Sequence, residues 1–150
     1  MEMDGGRGGY RILVVDDHPD TVEVVCTLFL ALGHEAYGAT GGLEGLEMVE
    51  AVDPMIVVVD LSMPCLGGIE LAERLRAKYG AKHYLVALTG WGGEEDRRDA
   101  TLAGFDEYVV KPAMGNALCE VLVGYGLHVA RGRSRRSSRA RLLVSQPEAT

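Results

Sequence analysis

Residues 12–20 read ILVVDDHPD, so four apolar residues run directly into the adjacent carboxylates of Asp16 and Asp17. A short run rich in Ile, Leu and Val predicts a buried β-strand. An acid after a strand is often a helix cap, because it accepts hydrogen bonds from the free amides of the first turn. Asp20, just beyond Pro19 at the expected helix start, fits such a first-turn role. The adjacent pair Asp16 and Asp17 needs a different explanation.

Apolar runs of this kind alternate with segments of helical period along the chain. The predicted strands are RILVV (11–15), EAYGA (35–39), MIVVV (55–59), YLVAL (84–88) and EYVV (107–110). Apolar residues at steps of three and four predict helices that face the core through Val22, Val25, Leu28, Phe29 and Leu32, through Leu43, Leu46 and Val49, and through Ile69, Ala72 and Leu75. Gly33, Gly80 and Gly104 are expected to end helices. Strands alternating with helices predict an α/β fold with a parallel sheet, and continuously apolar strands predict helices on both faces, a three-layer sandwich.

The length and composition predict one globular domain with two extensions. The chain has 150 residues, of which 47% are hydrophobic and 25% charged, as is ordinary for a globular protein. We expect a flexible extension over 1–9, the domain over 10–129 and a disordered tail over 130–150. No apolar run approaches the roughly 18–20 residues that span a membrane, and the start of the chain lacks the pattern of a secretory signal. The sequence therefore predicts a cytoplasmic protein with no membrane partner.

Three cysteines occur at wide spacings, at Cys26, Cys65 and Cys119. Their odd number and the lack of a CxxC pair favour neither a disulfide framework nor a zinc site. We expect reduced and mostly buried thiols.

Charge is distributed unevenly between the body and the end of the chain. Residues 1–130 carry 9 Lys or Arg against 21 Asp or Glu, and residues 131–150 carry 6 Arg against one Glu. The tail is therefore either a solvated extension or cloning remnant, or an arm that contacts nucleic acid, an anionic partner or its own acidic domain. Twenty residues leave no room for a DNA-binding domain.

Polar side chains follow four of the five predicted strands. Asp16 and Asp17 follow the first, Asp60 the third, Thr89 the fourth and Lys111 the fifth. Right-handed crossovers place all strand carboxyl ends on one edge, where ligands bind in folds of this kind. Each residue alone has an ordinary alternative as a cap, a turn residue or a solvated lysine. Their shared position predicts a functional site.

Three carboxylates at one edge repel, unless one stays protonated or a divalent cation binds them. Hard oxygen ligands favour Mg²⁺, Mn²⁺ or Ca²⁺ over zinc, and an open site suits Mg²⁺, with Mn²⁺ as the alternative. Three Asp, one divalent ion and Lys111 sum to zero formal charge, so the site is suited to accept an anionic phosphoryl group. Asp60 is then the expected nucleophile and phosphoacceptor, and the Thr89 hydroxyl is an expected donor to the phosphoryl oxygens.

These motifs together resemble the receiver domain of two-component response regulators. The resemblance covers about residues 10–128 and is carried by the adjacent acids that end the first strand, by VVVDLSMP around Asp60, by ALTG at 87–90 and by YVVKP at 108–112. It implies a flavodoxin-like, CheY-like fold with five strands in the order 2-1-3-4-5 and five helices. The run from residue 85 to residue 112 looks most like receivers attached to hybrid histidine kinases.

The resemblance also implies a role for each matching residue of the site. Asp60 accepts the phosphoryl group from a phosphohistidine, Asp17 binds Mg²⁺ directly, Asp16 binds it through water, and the backbone carbonyl of Ser62 is a further ligand. Lys111 contacts the phosphoryl group, and its peptide bond to the following residue, Pro112, is expected to be cis.

A second group of residues is implied to control switching and lifetime. Phosphorylation draws the Thr89 hydroxyl inward and Tyr108 fills the vacated space, which changes the face formed by the fourth helix, fifth strand and fifth helix. An alternative for Tyr108 is a partly buried edge residue. Ser62 and Trp91 match positions that tune phosphoryl lifetime, and neither is an acid or amide that orients water. We expect slow self-dephosphorylation.

The expected partners are a histidine kinase or histidine phosphotransfer protein, a downstream protein or output domain, and a second copy at the switching face. The protein is expected to catalyse only its own phosphorylation and dephosphorylation, either as a stand-alone receiver or as part of a longer protein.

Two other functional classes remain open. One is a Mg²⁺-dependent phosphohydrolase, although Ser62 stands where haloacid dehalogenase-like enzymes need a second Asp. The other is a phosphorylation-independent interaction module. His18 is expected to be a solvent-facing loop residue, with a titratable neighbour of the metal as the alternative.

Overall fold

A computed structural model of the chain describes residues 9–90, 93–112 and 115–145, with side chains described as far as residue 132. Five strands alternate with five helices. Their bounds are β1 Arg11–Val15, α1 Pro19–Ala31, β2 Glu35–Ala39, α2 Gly42–Val52, β3 Ile56–Asp60, α3 Gly68–Tyr79, β4 Tyr84–Thr89, α4 Glu94–Ala103, β5 Glu107–Val110 and α5 Gly115–Ser145. The predicted alternation of strands and helices is confirmed. Asp60 and Thr89 are the last residues of β3 and β4, whereas the sequence pattern predicted that each would directly follow its strand.

All strand pairs are parallel, and the sheet has the order β2-β1-β3-β4-β5. Strand order reverses between β1 and β3, which opens a crevice at their carboxyl ends. Apolar clusters cover both faces of the sheet. One contains side chains of α2, α3 and α4, and the other contains side chains of α1 and α5. The predicted three-layer sandwich is therefore present.

Helix ends follow local backbone chemistry. Pro19 begins α1, and Gly33, Gly80 and Gly104 have positive φ angles beyond α1, α3 and α4. Glycine adopts this conformation without the steric cost that a side chain imposes. The expected starts and stops are confirmed at these positions.

Two predicted core positions are exposed. Leu43 is 65% exposed and Leu32 is 43% exposed. Helix α2 instead packs through Gly42, Gly45 and Val49. The absence of a side chain lets Gly42 pack against Leu66 and lets Gly45 approach the sheet closely. A Cβ on Gly45 would lie 3.2 Å from a methyl group of Val15.

The last helix is longer than expected, since α5 continues to Ser145. Helix is thus assigned as far as Ser145 in the segment expected to be a disordered tail, and the division into domain and tail stays a prediction. The Arg, Ala and Leu residues of this segment have high helix propensity, and no proline interrupts it before residue 147,. The expected flexible extension lies outside the described residues except at Gly9. Within the described ranges, none of the helices combines the length and apolar character needed to cross a bilayer.

The thiols are free, as predicted, but they are not mostly buried. Cys65 and Cys119 are exposed and Cys26 is half-buried. Cys26 belongs to α1, and burial raises the pKa of its thiol.

Candidate functional site

The strand register brings the predicted residues to one edge of the sheet. Val15 of β1 pairs with Val59 of β3, so Asp16 and Asp60 lie one step further along neighbouring strands. Lys111 directly follows β5, and its backbone N–H donates to the Thr89 carbonyl at 2.6 Å. Four strands therefore contribute to the site, as expected from the sequence.

The acidic residues form a compact cluster. Ligand atoms of Asp16, Asp17, His18 and Asp60 all lie within 4.8 Å of one another. Asp16 is fully buried and Asp60 is 1% exposed, while 26% of the Asp17 side chain is exposed. Buried carboxylates at this separation repel strongly unless a cation neutralises them.

Lys111 supplies one positive charge to this cluster. Its Nζ lies 3.0 Å from Asp16 Oδ2 and 3.5 Å from Asp60 Oδ2. Burial alone would lower the pKa of Lys111, but the two carboxylates outweigh that effect and raise it. One ammonium group leaves the three carboxylates with a net charge of −2, which a divalent cation balances. The Lys111–Pro112 peptide bond is cis, the isomer expected from the sequence.

Asp60 is held by the loop that follows β3. Its Oδ1 accepts hydrogen bonds from the Ser62 backbone N–H and hydroxyl, both at 3.2 Å. Gly68 begins α3 against this strand end, and a Cβ there would lie 2.5 Å from the Asp60 carbonyl oxygen. The missing side chain thus lets α3 start next to Asp60 and fix its backbone.

The donor set fits a hard divalent cation. Asp17 Oδ1 is buried yet receives no hydrogen bond within the described part of the chain. Asp16 Oδ2 is likewise buried without a hydrogen bond from the described residues, although it lies 3.0 Å from Lys111 Nζ, and Asp16 Oδ1 accepts the His18 backbone N–H at 2.9 Å. The direct role of Asp17 and the water-mediated role of Asp16 stay predictions. The role of the Ser62 carbonyl stays a prediction.

His18 contacts the acidic cluster through its ring nitrogen. Its side chain is 69% exposed, as expected of a loop residue, but Nδ1 lies 3.2 Å from Asp16 Oδ1 and 3.3 Å from Asp17 Oδ1. The sequence feature that could have indicated this contact is the position of His18, directly after Asp16 and Asp17. Whether the His18 ring contacts the carboxylates depends on the direction of its side chain, which the position in the sequence does not specify.

Thr89 and Tyr108 lie on the same face of the sheet. Thr89 pairs with Val110 in the parallel register, and residues two apart in a strand share a face. Thr89 is 5% exposed, while Tyr108 is half-buried and packs partly against the core, with the Arg97 guanidinium 5.0 Å from its ring centroid. Arg97 was not singled out by the sequence analysis.

A cavity of about 350 Å³ adjoins Thr89, and its lining includes Ser62, Gly90, Asp96 and Asp99. The cavity lies between the loop after β3, the end of β4 and α4. Trp91, the other residue predicted to tune lifetime, lies outside the described residues.

The comparisons with known proteins agree with this fold. The family model of the response regulator receiver domain matches residues 12–123. The chain belongs to the response regulator receiver domain family, whose members act in two-component systems.

Two curated relatives and one solved structure illustrate the similarity. The chain is 37% identical over 102 residues to an uncharacterized 14.6 kDa protein in the sodA1 3′ region of Leptolyngbya boryana, which covers 67% of this chain and 78% of that protein. It is 33% identical over 116 residues to the sensor histidine kinase CheAY of Helicobacter pylori, covering 75% of this chain but 14% of the kinase. The receiver domain of the Francisella response regulator 1452 superposes with a TM-score of 0.73 at 26% identity, covering 80% of this chain and 99% of that domain.

Proposed function

We propose that this chain accepts a phosphoryl group on the Asp60 carboxylate from a phosphohistidine donor. The observation that carries the proposal is a buried carboxylate at a strand end, with an ammonium group 3.5 Å away and two further carboxylates whose oxygens lie within 4.8 Å. A divalent cation bound by Asp17, Asp60 and the Ser62 carbonyl, with Asp16 acting through water, would neutralise the negative charge of the acceptor and of the incoming phosphoryl oxygens.

The protein side chains position the acceptor and balance charge during transfer. Ser62 holds Asp60 Oδ1, which leaves Oδ2 on the Lys111 side as the attacking oxygen. An oxygen–phosphorus bond forms at Asp60 as the phosphorus–nitrogen bond of the donor breaks. The imidazole leaves with the bonding electron pair and then takes a proton from solvent. Lys111 moves its charge from the carboxylates towards the new phosphoryl group.

Thr89 and Tyr108 are proposed to convert this charge change into a change of surface. The Thr89 hydroxyl is drawn towards the phosphoryl group, and Tyr108 on the same face moves into the space that this opens. Tyr108 leaves its position beside Arg97, so α4 and β5 shift together. Exposed apolar residues on α4, β5 and α5 make this face suitable for a downstream protein, an output domain or a second copy: Leu102, Val110, Val123 and Leu127.

The donor is proposed to be a histidine kinase or a histidine phosphotransfer protein. The similarity to the sensor histidine kinase CheAY of Helicobacter pylori supports a donor of this class. The proposed activity is limited to the protein's own phosphorylation and dephosphorylation. The exposed, unpaired thiols of Cys65 and Cys119 support a reducing compartment such as the cytoplasm.

Treatment with acetyl phosphate and Mg²⁺, followed by intact mass measurement, tests this function. We expect a single phosphoryl adduct that Asp60→Asn abolishes and that EDTA prevents. The matched control is Asp53→Asn, which removes an exposed carboxylate paired with Lys82 and should leave the adduct intact. Sustained turnover of an external phosphoester would instead identify a phosphohydrolase, and a binding partner retained by Asp60→Asn without any adduct would identify a phosphorylation-independent module.

Slow loss of the phosphoryl group is part of the same proposal. Ser62 is exposed and its hydroxyl is directed to Asp60 Oδ1, so it supplies no acid or amide to orient an attacking water. Replacing Ser62 by Glu should shorten the adduct's lifetime. A half-life of seconds in the unsubstituted protein would contradict this expectation.

A further inference from the structure

The ring of His18 lies at the edge of the acidic cluster, with Nδ1 at hydrogen-bonding distance, 3.2 Å, from Asp16 Oδ1. Its Nδ1 is within 3.3 Å of oxygens from both Asp16 and Asp17. Neighbouring ligands of an octahedral ion lie √2 bond lengths apart, or about 2.9 Å for bonds of about 2.0–2.1 Å. The observed separations exceed this spacing by a few tenths of an ångström. One cation can therefore contact the imidazole nitrogen and Asp17 Oδ1 together, with Asp16 beside it to act through water.

The backbone holds His18 in this position. Its N–H donates to Asp16 Oδ1 at 2.9 Å, so the residue is tied to the fully buried Asp16. The ring itself is largely exposed at the rim of the cluster and is free to adjust by the small distance that coordination requires. The buried Asp17 Oδ1, which receives no hydrogen bond from the described residues, faces the same ring nitrogen.

We propose that His18 Nδ1 is a protein ligand of the bound cation and gives the site a preference for divalent first-row transition ions over Mg²⁺. An imidazole adds little to the binding of Mg²⁺, which prefers oxygen ligands and keeps several waters. Transition ions accept nitrogen readily, with affinity rising from Mn²⁺ to Co²⁺ and Ni²⁺. This inference rests on the proposed function only in using the same cation site.

Calorimetric titration of the metal-free chain with Mg²⁺, Mn²⁺ and Co²⁺ tests the role of the ring. His18→Asn keeps a polar side chain but removes the imidazole. We expect it to weaken Mn²⁺ and Co²⁺ binding by about tenfold or more, as loss of a supporting group typically does, with a larger loss for Co²⁺ and little change for Mg²⁺. His128→Asn is the matched control, because His128 is exposed on α5 beside Tyr84, and it should bind all three ions as the unsubstituted chain does.

Two results would overturn the proposal. One is equal affinities of His18→Asn and the unsubstituted chain for Co²⁺ and Mn²⁺. The other is an equal change for all three ions, which would show that the ring affects only the charge or shape of the cluster.

The acetyl phosphate reaction in Mg²⁺, run on the same samples, separates this inference from the proposed function. We expect both the unsubstituted chain and His18→Asn to form the Asp60 adduct. An adduct without any His18-dependent ion preference refutes the ligand role alone. An ion preference that depends on His18 without any adduct supports the ligand role and refutes phosphoacceptance.

Discussion

Replacing Asp60 by Asn is expected to stabilise the protein when no metal is bound. Oxygens of Asp16 and Asp17 lie within 4.8 Å of Asp60, so each repulsion is about 3.5 kcal/mol at an effective dielectric constant of about 20. The substitution also loses the attraction of Lys111 at 3.5 Å, about 5 kcal/mol on the same scale. The difference favours Asn by about 2 kcal/mol. The Asn side-chain oxygen still accepts the hydrogen bonds from Ser62.

Urea unfolding in EDTA at neutral pH measures this difference, with Asp53→Asn as the exposed control that should show no comparable gain. Mg²⁺ at ten times its dissociation constant should then stabilise the unsubstituted chain by about 1.4 kcal/mol and stabilise Asp60→Asn less. A free energy of unfolding of Asp60→Asn in EDTA that is equal to or below that of the unsubstituted chain would refute the electrostatic reasoning.

Three further substitutions test how the surrounding structure supports the site. Gly68→Ala should destabilise the fold by about 1–3 kcal/mol and weaken metal binding, because its Cβ would meet the Asp60 carbonyl at 2.5 Å; urea unfolding and calorimetry measure both. Arg76→Lys should cost on the order of 2–4 kcal/mol, since the guanidinium donates to three backbone carbonyls and one carboxylate; thermal unfolding measures this loss. Burial, opposed by the hydrogen bond from Tyr84, raises the pKa of Glu107, so the folded state loses stability as pH rises from the ordinary Glu pKa through the raised value. Glu107→Gln should therefore be more stable than the unsubstituted chain at pH 8, with the difference disappearing at pH values below the ordinary Glu pKa.

Each of these expectations has a clear contrary result. Metal affinity unchanged in Gly68→Ala would show that α3 does not fix the backbone at Asp60. If Arg76→Lys were as stable as the unsubstituted chain, a single ammonium charge would be enough at this position and the several hydrogen bonds of the guanidinium would not be needed. If the stability difference of Glu107→Gln did not vary with pH, the carboxyl group would not carry the proposed burial penalty.

The central elements of the fold could be predicted because the strands are continuously apolar. Residues 56–59 of β3 are all buried, and an abrupt change from apolar to acidic residues marks the strand end. Parallel strands place such ends on one edge, so Asp16, Asp60 and Lys111 could be grouped before any geometry was known.

The structure differs from the sequence-based predictions where a contact depends on the direction of a side chain or on the rotation of a helix about its axis. Two faces of the short helix α2, one residue apart in the sequence, are apolar enough to pack against the core. The helix packs through the face that contains Gly45, so Leu43 is exposed. The contact of His18 with two carboxylates depends on a side-chain torsion, which periodicity does not specify. The extension of α5 to Ser145 reflects local propensity, which the charge of the segment obscured.

Mapping the phosphoryl group after transfer from a phosphohistidine donor tests the central claim most directly. Borohydride reduces an aspartyl phosphate to homoserine, and peptide mass spectrometry then locates the modified residue. The account predicts homoserine at position 60 after reaction with the phosphorylated donor and Mg²⁺, and none after incubation with the unphosphorylated donor. Modification at Asp16 or Asp17, or no homoserine despite full dephosphorylation of the donor, would contradict it.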